Sequence, residues 1–76
     1  MKTVFNLITH LDVEDELIEV VDADTEARLF EFWSGSYFSG DLKDDQVKAV
    51  ETLELKGFHI DTDGNNIKLV CSVQKH

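Results

Sequence analysis

Acidic residues are the group in this sequence whose type and spacing best suit a binding or catalytic role. Eight of them lie within residues 10–26, which contain no Lys or Arg and carry a formal charge of −8. They are Asp12, Glu14, Asp15, Glu16, Glu19, Asp22, Asp24 and Glu26. Carboxylates at this density can pair with Lys and Arg of a partner, imitate nucleic-acid phosphates or hold a divalent cation. A solvated face that keeps the chain soluble is the alternative.

Asp22 and Asp24, with Glu26 nearby, have the spacing of a cation site or a catalytic carboxylate pair. Such pairs become catalytic when burial or mutual repulsion separates their pKa values. The surrounding sequence has the composition of a turn, in which water screens the charges. We therefore expect a solvated turn at these residues.

The segment Asp61-Thr62-Asp63-Gly64-Asn65-Asn66 has oxygen ligands at the first, third and fifth positions of a calcium-binding loop. Its sixth position is Asn66 instead of Gly, and its twelfth position is Ser72 instead of the bidentate Glu. Glycine and asparagine also favour the positive φ angles of tight hairpins. The segment therefore predicts a hairpin turn.

The nucleophiles and imidazoles do not form a recognisable catalytic or zinc motif. His10, His59 and His76 lack the short spacings of structural zinc ligands, and Cys71 alternates with apolar neighbours, which predicts a core position. We expect His59 to be exposed. The sequence also lacks a glycine-rich phosphate loop, a nucleophile elbow and a dinucleotide fingerprint. It predicts a protein that is not an enzyme and has no metal or cofactor.

Five of the seven aromatic residues lie within nine positions: Phe30, Phe32, Trp33, Tyr37 and Phe38. On a strand, Trp33 faces away from Phe30 and Phe32. One interpretation is that helix packing covers Trp33 while Tyr37 and Phe38 fill the edge of the core. The other is that Trp33 or Tyr37 is an exposed anchor, because Trp and Tyr are enriched at binding hot spots.

Length and charge restrict the functional classes. The chain has 76 residues, which is enough for one small domain spanning 1–76, and a net charge of −9. This charge disfavours direct binding to nucleic acid or to an anionic membrane, since both are negatively charged and bind proteins through Lys and Arg side chains. The single Cys excludes an intramolecular disulfide, and no window is apolar enough for a signal peptide or a membrane span. We expect a cytoplasmic protein.

Hydrophobic spacing predicts the elements that position these groups. An i, i+3, i+4, i+7 pattern predicts an amphipathic helix with Thr3 as its N-cap, formed by Val4, Leu7, Ile8 and Leu11. Strands are predicted over Leu17–Val21 and Ala27–Trp33, joined by a turn over Asp22–Thr25. The alternative is a helix over Asp12–Val21, whose acidic first turn would suit the helix dipole.

Gly35 and Gly40 are predicted to bracket a loop. Asp41 is predicted to cap a short helix that ends at Val47 or Val50, and two acids, Asp44 and Asp45, lie near the positive end of this helix.

The C-terminal third predicts two more strands. The first covers Thr52–Asp61 with a bulge at Lys56-Gly57, and the second alternates from Ile67 to Val73. Together these elements predict an α+β domain, with a small antiparallel sheet of about four strands and one or two short helices on one face.

Three segments carry a likeness to a known class of proteins: Leu11-Asp12-Val13-Glu14-Asp15-Glu16, Val21-Asp22-Ala23-Asp24-Thr25 and the hairpin Asp63-Gly64-Asn65-Asn66. With this organisation, the chain resembles the small acidic accessory proteins of bacterial phages and mobile elements. Some of those, including inhibitors of CRISPR nucleases, occupy a host enzyme's nucleic-acid channel with acidic side chains. The resemblance implies an inhibitor acting in the host cell cytoplasm and transfers no functional residue.

We therefore predict a non-enzymatic inhibitor of a basic nucleic-acid-handling protein. The eight acids of residues 10–26 would pair with its Lys and Arg, and Trp33 or Tyr37 would supply an apolar anchor. One alternative is a structural module that self-associates, as a homodimer, through sheet edges and aromatic residues. Another is a weak metal or small-ligand site at four acids, Asp22, Asp24, Asp61 and Asp63.

Overall fold

The computed structural model describes residues 2–11 and 15–75, so the predicted partner-binding residues Asp12 and Glu14 lie outside the described residues. Three helices and four strands follow one another along this part of the chain. They are α1 (Val4–His10), β1 (Leu17–Asp22), β2 (Arg28–Trp33), α2 (Ser34–Ser39), α3 (Asp44–Thr52), β3 (Glu54–Asp63) and β4 (Asn66–Gln74). The predicted α+β class and four strands are confirmed, with three short helices where one or two were expected.

Helix α1 begins at the predicted N-cap. The Thr3 hydroxyl accepts the backbone N–H of Asn6 at 3.2 Å, and the Asn6 side-chain oxygen accepts the backbone N–H of Thr3 at 3.2 Å. This reciprocal pair satisfies two backbone donors that a helix start leaves free. The apolar face then buries Val4, Leu7 and Ile8 completely.

The four strands form one mixed sheet in the order β2-β1-β4-β3. The two sequence hairpins, β1–β2 and β3–β4, are antiparallel, whereas β1 and β4 are parallel neighbours that place Ile18 opposite Leu69. The prediction of an antiparallel sheet is therefore wrong for this pair of strands, and the sheet is mixed. The first and last strands meet at its centre, and β2 and β3 form its two edges.

The alternative prediction of a helix over Asp12–Val21 is wrong, because Leu17–Asp22 is strand β1 of the β1–β2 hairpin. Its connection is a turn in which the backbone N–H of Glu26 donates to the carbonyl of Asp22 at 2.7 Å. Glu26 has a φ of 64°, and among the described residues it is the one non-glycine with a positive φ.

Two predictions for the middle of the chain are wrong. The segment between Gly35 and Gly40 is helix α2 and not a loop, and Gly40, at a φ of 85°, ends this helix in the left-handed conformation. Asp41 does not cap the next helix, because α3 begins at Asp44 with Lys43 at its N-cap position. Asp44 and the residue after it do lie in the first turn, as predicted.

The β3–β4 hairpin follows the sequence prediction closely. The pairing register shifts between Leu55 and Gly57, at the expected bulge. Asp63 pairs with Asn66 across the turn, and Gly64 has a φ of 65°. A positive φ at the first central residue but not at the second is characteristic of a type II′ turn.

Helices α1 and α3 cover one face of the sheet. Their core residues Val4, Leu7, Ile8 and Val50 pack against Ile18, Val20, Phe32, Leu69, Cys71 and Val73. Alternation along the strands puts Glu19 and Lys68 on the opposite face, which no helix covers among the described residues. We call this second surface the open face.

Candidate protein-binding site

Strand β1 divides the acidic run into two ends and a centre. Asp15 and Glu16 precede the strand, Glu19 lies within it, and Asp24 and Glu26 lie in the turn after it. The six residues of β1 span about 17 Å at strand geometry. The two ends of the run are therefore separate surfaces and do not form one continuous row of carboxylates.

Glu19, at the centre, is neutralised within the protein. One of its carboxylate oxygens accepts hydrogen bonds from the ammonium of Lys68 at 3.0 Å and from the guanidinium of Arg28 at 3.1 Å. Its side chain is only 13 % exposed. The hydrogen bond from Lys68 is the main cause that lowers the pKa of Glu19. This carboxylate is already paired, and it therefore has little to offer a basic partner.

The carboxylates of the turn after β1 hold the local backbone. A side-chain oxygen of Asp22 accepts the backbone N–H of Asp24 at 2.8 Å, which is the Asx-turn geometry that short acidic side chains favour. Asp24 in turn accepts a side-chain N–H of Gln74 at 3.4 Å. The predicted turn is confirmed, and Glu26 is exposed at its end.

The segment before β1 is attached to the end of β2 by paired hydrogen bonds. The backbone N–H of Glu16 donates to the Ser34 hydroxyl at 2.9 Å, and the backbone N–H of Ser34 donates to the carbonyl of Glu16 at 2.9 Å. Asp15 also bonds to this junction, since its carboxylate accepts the backbone N–H of Gly35 at 3.3 Å. A Cβ at Gly35 would stand 2.7 Å from that carboxylate oxygen. The close approach depends on glycine at this position.

This end of the acidic run opens onto a shallow depression of about 560 Å³, lined by Asp15, Trp33, Gly35, Ser36, Ser39 and Asp41. Two predicted site residues, Asp15 and Trp33, are brought together here. Asp41 completes the group and was missed as a site residue, because it is distant in sequence and reaches the depression only through helix α2. Its carboxylate accepts the Ser39 hydroxyl at 2.9 Å.

Trp33 is 52 % exposed, so the interpretation in which helix packing covers it is wrong. It pairs with Leu17 across the β1–β2 ladder at the edge of the sheet. Its indole also borders a groove of about 360 Å³ on the open face, beside Arg28 and Lys68. A large apolar side chain is therefore presented at the boundary between the depression and the open face.

Tyr37, in contrast to Trp33, is partly buried and packs against the core. Its ring lies 5.9 Å from Phe5 and 5.2 Å from Phe38, and its hydroxyl donates to the Glu51 carboxylate at 2.7 Å. Burial, followed by this hydrogen bond, raises the pKa of Tyr37 to about 12. Tyr37 packs at the edge of the core, as one of the two interpretations predicted. The same prediction is wrong for Phe38, which is 52 % exposed.

Neither Cys71 nor His59 lines the depression. Cys71 is completely buried, as predicted, and burial raises the pKa of its thiol to about 12. His59 is exposed, also as predicted. Within residues 2–11 and 15–75, no group of three or more His, Cys, Asp or Glu is placed to hold a metal ion. The helices of this same part of the chain include none with the length and apolarity needed to cross a membrane.

Comparison of the chain with protein-family models, with curated proteins and with solved structures gives no match.

Proposed function

We propose that this protein is a non-enzymatic binding module that inhibits a nucleic-acid-handling protein. In this proposal, the depression lined by Asp15, Trp33 and Asp41 binds a basic surface of that protein. The observation that carries the proposal is the meeting of an exposed indole with the carboxylates of Asp15 and Asp41 around one depression. The proposal narrows the predicted binding surface from the whole acidic run to its first end.

The chemistry of the depression suits an Arg or Lys side chain. Such a cation can lie over the indole of Trp33 while a neighbouring carboxylate accepts its N–H groups. Trp is also among the residues that most often dominate binding energy at interfaces. The other end of the run, at Asp24 and Glu26, has no exposed aromatic residue in its turn. We therefore assign it a lesser role.

The net charge of −9 supports a basic partner by a second route. A strongly acidic protein is steered toward a basic surface before contact, which raises the association rate and makes it sensitive to salt. The basic channels of nucleic-acid-binding proteins are surfaces of this kind. Occupying one would exclude the nucleic acid by charge and by volume.

The test begins with capture from a bacterial lysate on the immobilised protein at about 50 and 300 mM salt, a contrast that screens exposed charges. We expect a nucleic-acid-handling protein that is retained at low salt and displaced by added DNA. Its affinity is then measured for the Asp15→Lys/Asp41→Lys and Asp24→Lys/Glu26→Lys variants. Both double variants change the net charge equally, so a difference between them reports the position of the site.

We expect the first double variant to lose binding and the second to weaken it only modestly. Trp33→Ala should weaken the complex about thirtyfold or more, as loss of a hot-spot aromatic does, whereas Phe38→Ala should have little effect. Phe38 is a matched control because it is also 52 % exposed. Equal losses in the two double variants, or a partner that is indifferent to salt and DNA, would contradict the proposal.

A further inference from the structure

Edge strand β3 carries an apolar surface that the helices leave uncovered. Phe58, Ile60 and Ile67 are 44 %, 66 % and 58 % exposed, and Leu11 at the end of α1 is 44 % exposed. Ile60 and Ile67 line one concave surface together with Leu11. We call these four residues the β3 patch. Phe58 and Ile60 lie opposite Cys71 and Leu69 in the ladder, so the patch continues the core beyond the helices.

The backbone beside this patch is free to extend the sheet. The start of β3 is covered, because the N–H of Leu55 donates to the carbonyl of Lys2 at 2.7 Å. Within the described part of the chain, no backbone hydrogen bond outside the β3–β4 ladder reaches Phe58–Thr62. An exposed edge with unpaired N–H and C=O groups is a template for another strand.

The charge around β3 favours a second copy of this chain over a basic partner. The segment of β3 around His59, residues 56–61, contains one Lys and one acid, a balance of zero with His neutral, whereas residues 10–26 carry −8. Two copies that pair antiparallel through this segment therefore bring two neutral stretches together, with the Lys56 end of one copy beside the Asp61 end of the other. A partner selected by positive charge would bind elsewhere on the molecule.

We propose that two copies of this protein pair through their β3 strands, antiparallel, about a two-fold axis at His59. A two-fold axis perpendicular to the sheet places the same face of both copies on the same side of the extended sheet. Because side chains alternate between the two faces along a strand, each residue must pair with a residue that is an even number of positions away in the sequence. Centring on His59 places Phe58 of each copy opposite Ile60 of the other. Centring on Phe58 or on Ile60 would leave the other apolar residue opposite Lys56 or Thr62.

The hydrogen-bond phase of β3 fits this register. A two-residue hairpin closes on a hydrogen-bonded pair, here Asp63 and Asn66, and such pairs then alternate along the ladder. His59 therefore bonds to β4, and the N–H and C=O groups of Phe58 and Ile60 point outward to the second copy. A dimer of standard size buries about 800 Å² on each copy, about a sixth of the 4981 Å² surface of this chain. The proposal goes beyond the proposed function and does not depend on it.

Sedimentation equilibrium of the whole protein over a range of concentrations and salt tests the pairing. We expect a monomer–dimer equilibrium that salt hardly changes. Ile60→Lys should weaken it about tenfold or more, since an edge Lys opposes strand pairing. Trp33→Lys makes the same apolar-to-Lys change on the opposite edge strand and should leave it unchanged. A monomer at about millimolar concentration, or a larger effect from Trp33→Lys, would overturn the proposal.

Disulfide trapping tests the register independently of the dissociation constant. In the proposed dimer the two His59 form a non-hydrogen-bonded pair with Cα atoms about 4.5 Å apart, so His59→Cys should cross-link on oxidation. Asp61→Cys is the control, because Asp61 lies on the same strand and face but about 13 Å from its own copy. Buried Cys71 should stay unreactive in both. Equal cross-linking by the two variants, or none by His59→Cys, would overturn this pairing.

Discussion

Ser34 and Glu16 exchange two hydrogen bonds of 2.9 Å, one through the Ser34 hydroxyl and one between backbones. Ser34 is completely buried at the junction of β2 and α2. The pair therefore fixes the point where the acidic run meets the strand that carries Trp33. The adjacent residues are joined in the same way, since the Asp15 carboxylate accepts the backbone N–H of Gly35.

Ser34→Ala is expected to destabilise the protein by about 1–3 kcal/mol, because the backbone N–H of Glu16 loses its acceptor in a partly buried position. Urea unfolding followed by circular dichroism measures this change. Ser39→Ala is the control. Its hydroxyl is also hydrogen-bonded, but Ser39 is exposed and water can replace the lost bond, so we expect a cost within about 0.5 kcal/mol. Equal losses in the two variants would show that the Ser34 hydroxyl does not hold this junction.

The pairing of Glu19 with Lys68 gives the protein a predictable response to acid. The lowered pKa of Glu19 means that the folded state favours its carboxylate. The resulting stability is fully present above the pKa of Glu19 in the unfolded chain and is lost as the pH falls through its lower pKa in the folded state. Glu19→Gln should therefore lower the melting temperature at neutral pH, and its difference from the wild type should shrink as the solution is acidified below about pH 4.

Glu16→Gln is the control for this prediction, since its side chain is exposed and its structural bonds are made by the backbone. We expect its melting temperature to follow that of the wild type across the same pH range. A Glu19→Gln variant that differs from the wild type by the same amount at every pH would contradict the assigned ion pair.

Tyr37 is expected to titrate far above an ordinary tyrosine. It is the one tyrosine of the chain, so the ultraviolet absorbance of tyrosinate reports it alone. We expect a pKa of about 12 in the folded protein and the ordinary value of 10 in concentrated urea. Because the folded-state pKa is raised, the stability that it supplies is complete below pH 10 and is lost as the pH rises toward 12.

Glu51→Gln tests the second cause of this shift. Removing the carboxylate charge near the Tyr37 hydroxyl should move the folded-state pKa part of the way toward its ordinary value, while burial keeps it elevated. Glu54→Gln, whose side chain pairs with Lys56 instead, should leave the titration unchanged. A folded protein whose tyrosine titrates near pH 10 would contradict the packing described for this ring.

Local signals predicted much of the fold. The cap at Thr3, the hydrophobic spacing of α1 and the glycine of the β3–β4 turn each act within a few residues, so the sequence shows them directly. Gly40 is also a local signal, because a left-handed glycine commonly ends a helix, but together with Gly35 it is equally typical of the loop that the sequence predicts. The helix before it was missed because Gly35 and its serine neighbours have low helix propensity.

Contacts distant in sequence could not be predicted in the same way. The alternation of β1 specifies which side chains face the core, and it is equally compatible with a parallel or an antiparallel neighbour. The pairing of β1 with β4 brings together Glu19 and Lys68, and this neutralises an acid that looked available in the sequence. The site has the same limitation, since Asp41 joins Asp15 only in the folded chain.

The left-handed backbone of Glu26 provides a further test of the turn. A φ of 64° costs free energy for Glu but is tolerated better by Asn, whose short side chain suits this conformation. Glu26→Asn should therefore be about 0.5–1 kcal/mol more stable than Glu26→Gln in urea unfolding. The two variants remove the same charge, so their difference isolates the backbone. A Gln variant as stable as the Asn variant would indicate that the turn relaxes away from this φ and that Asp22 does not hold it.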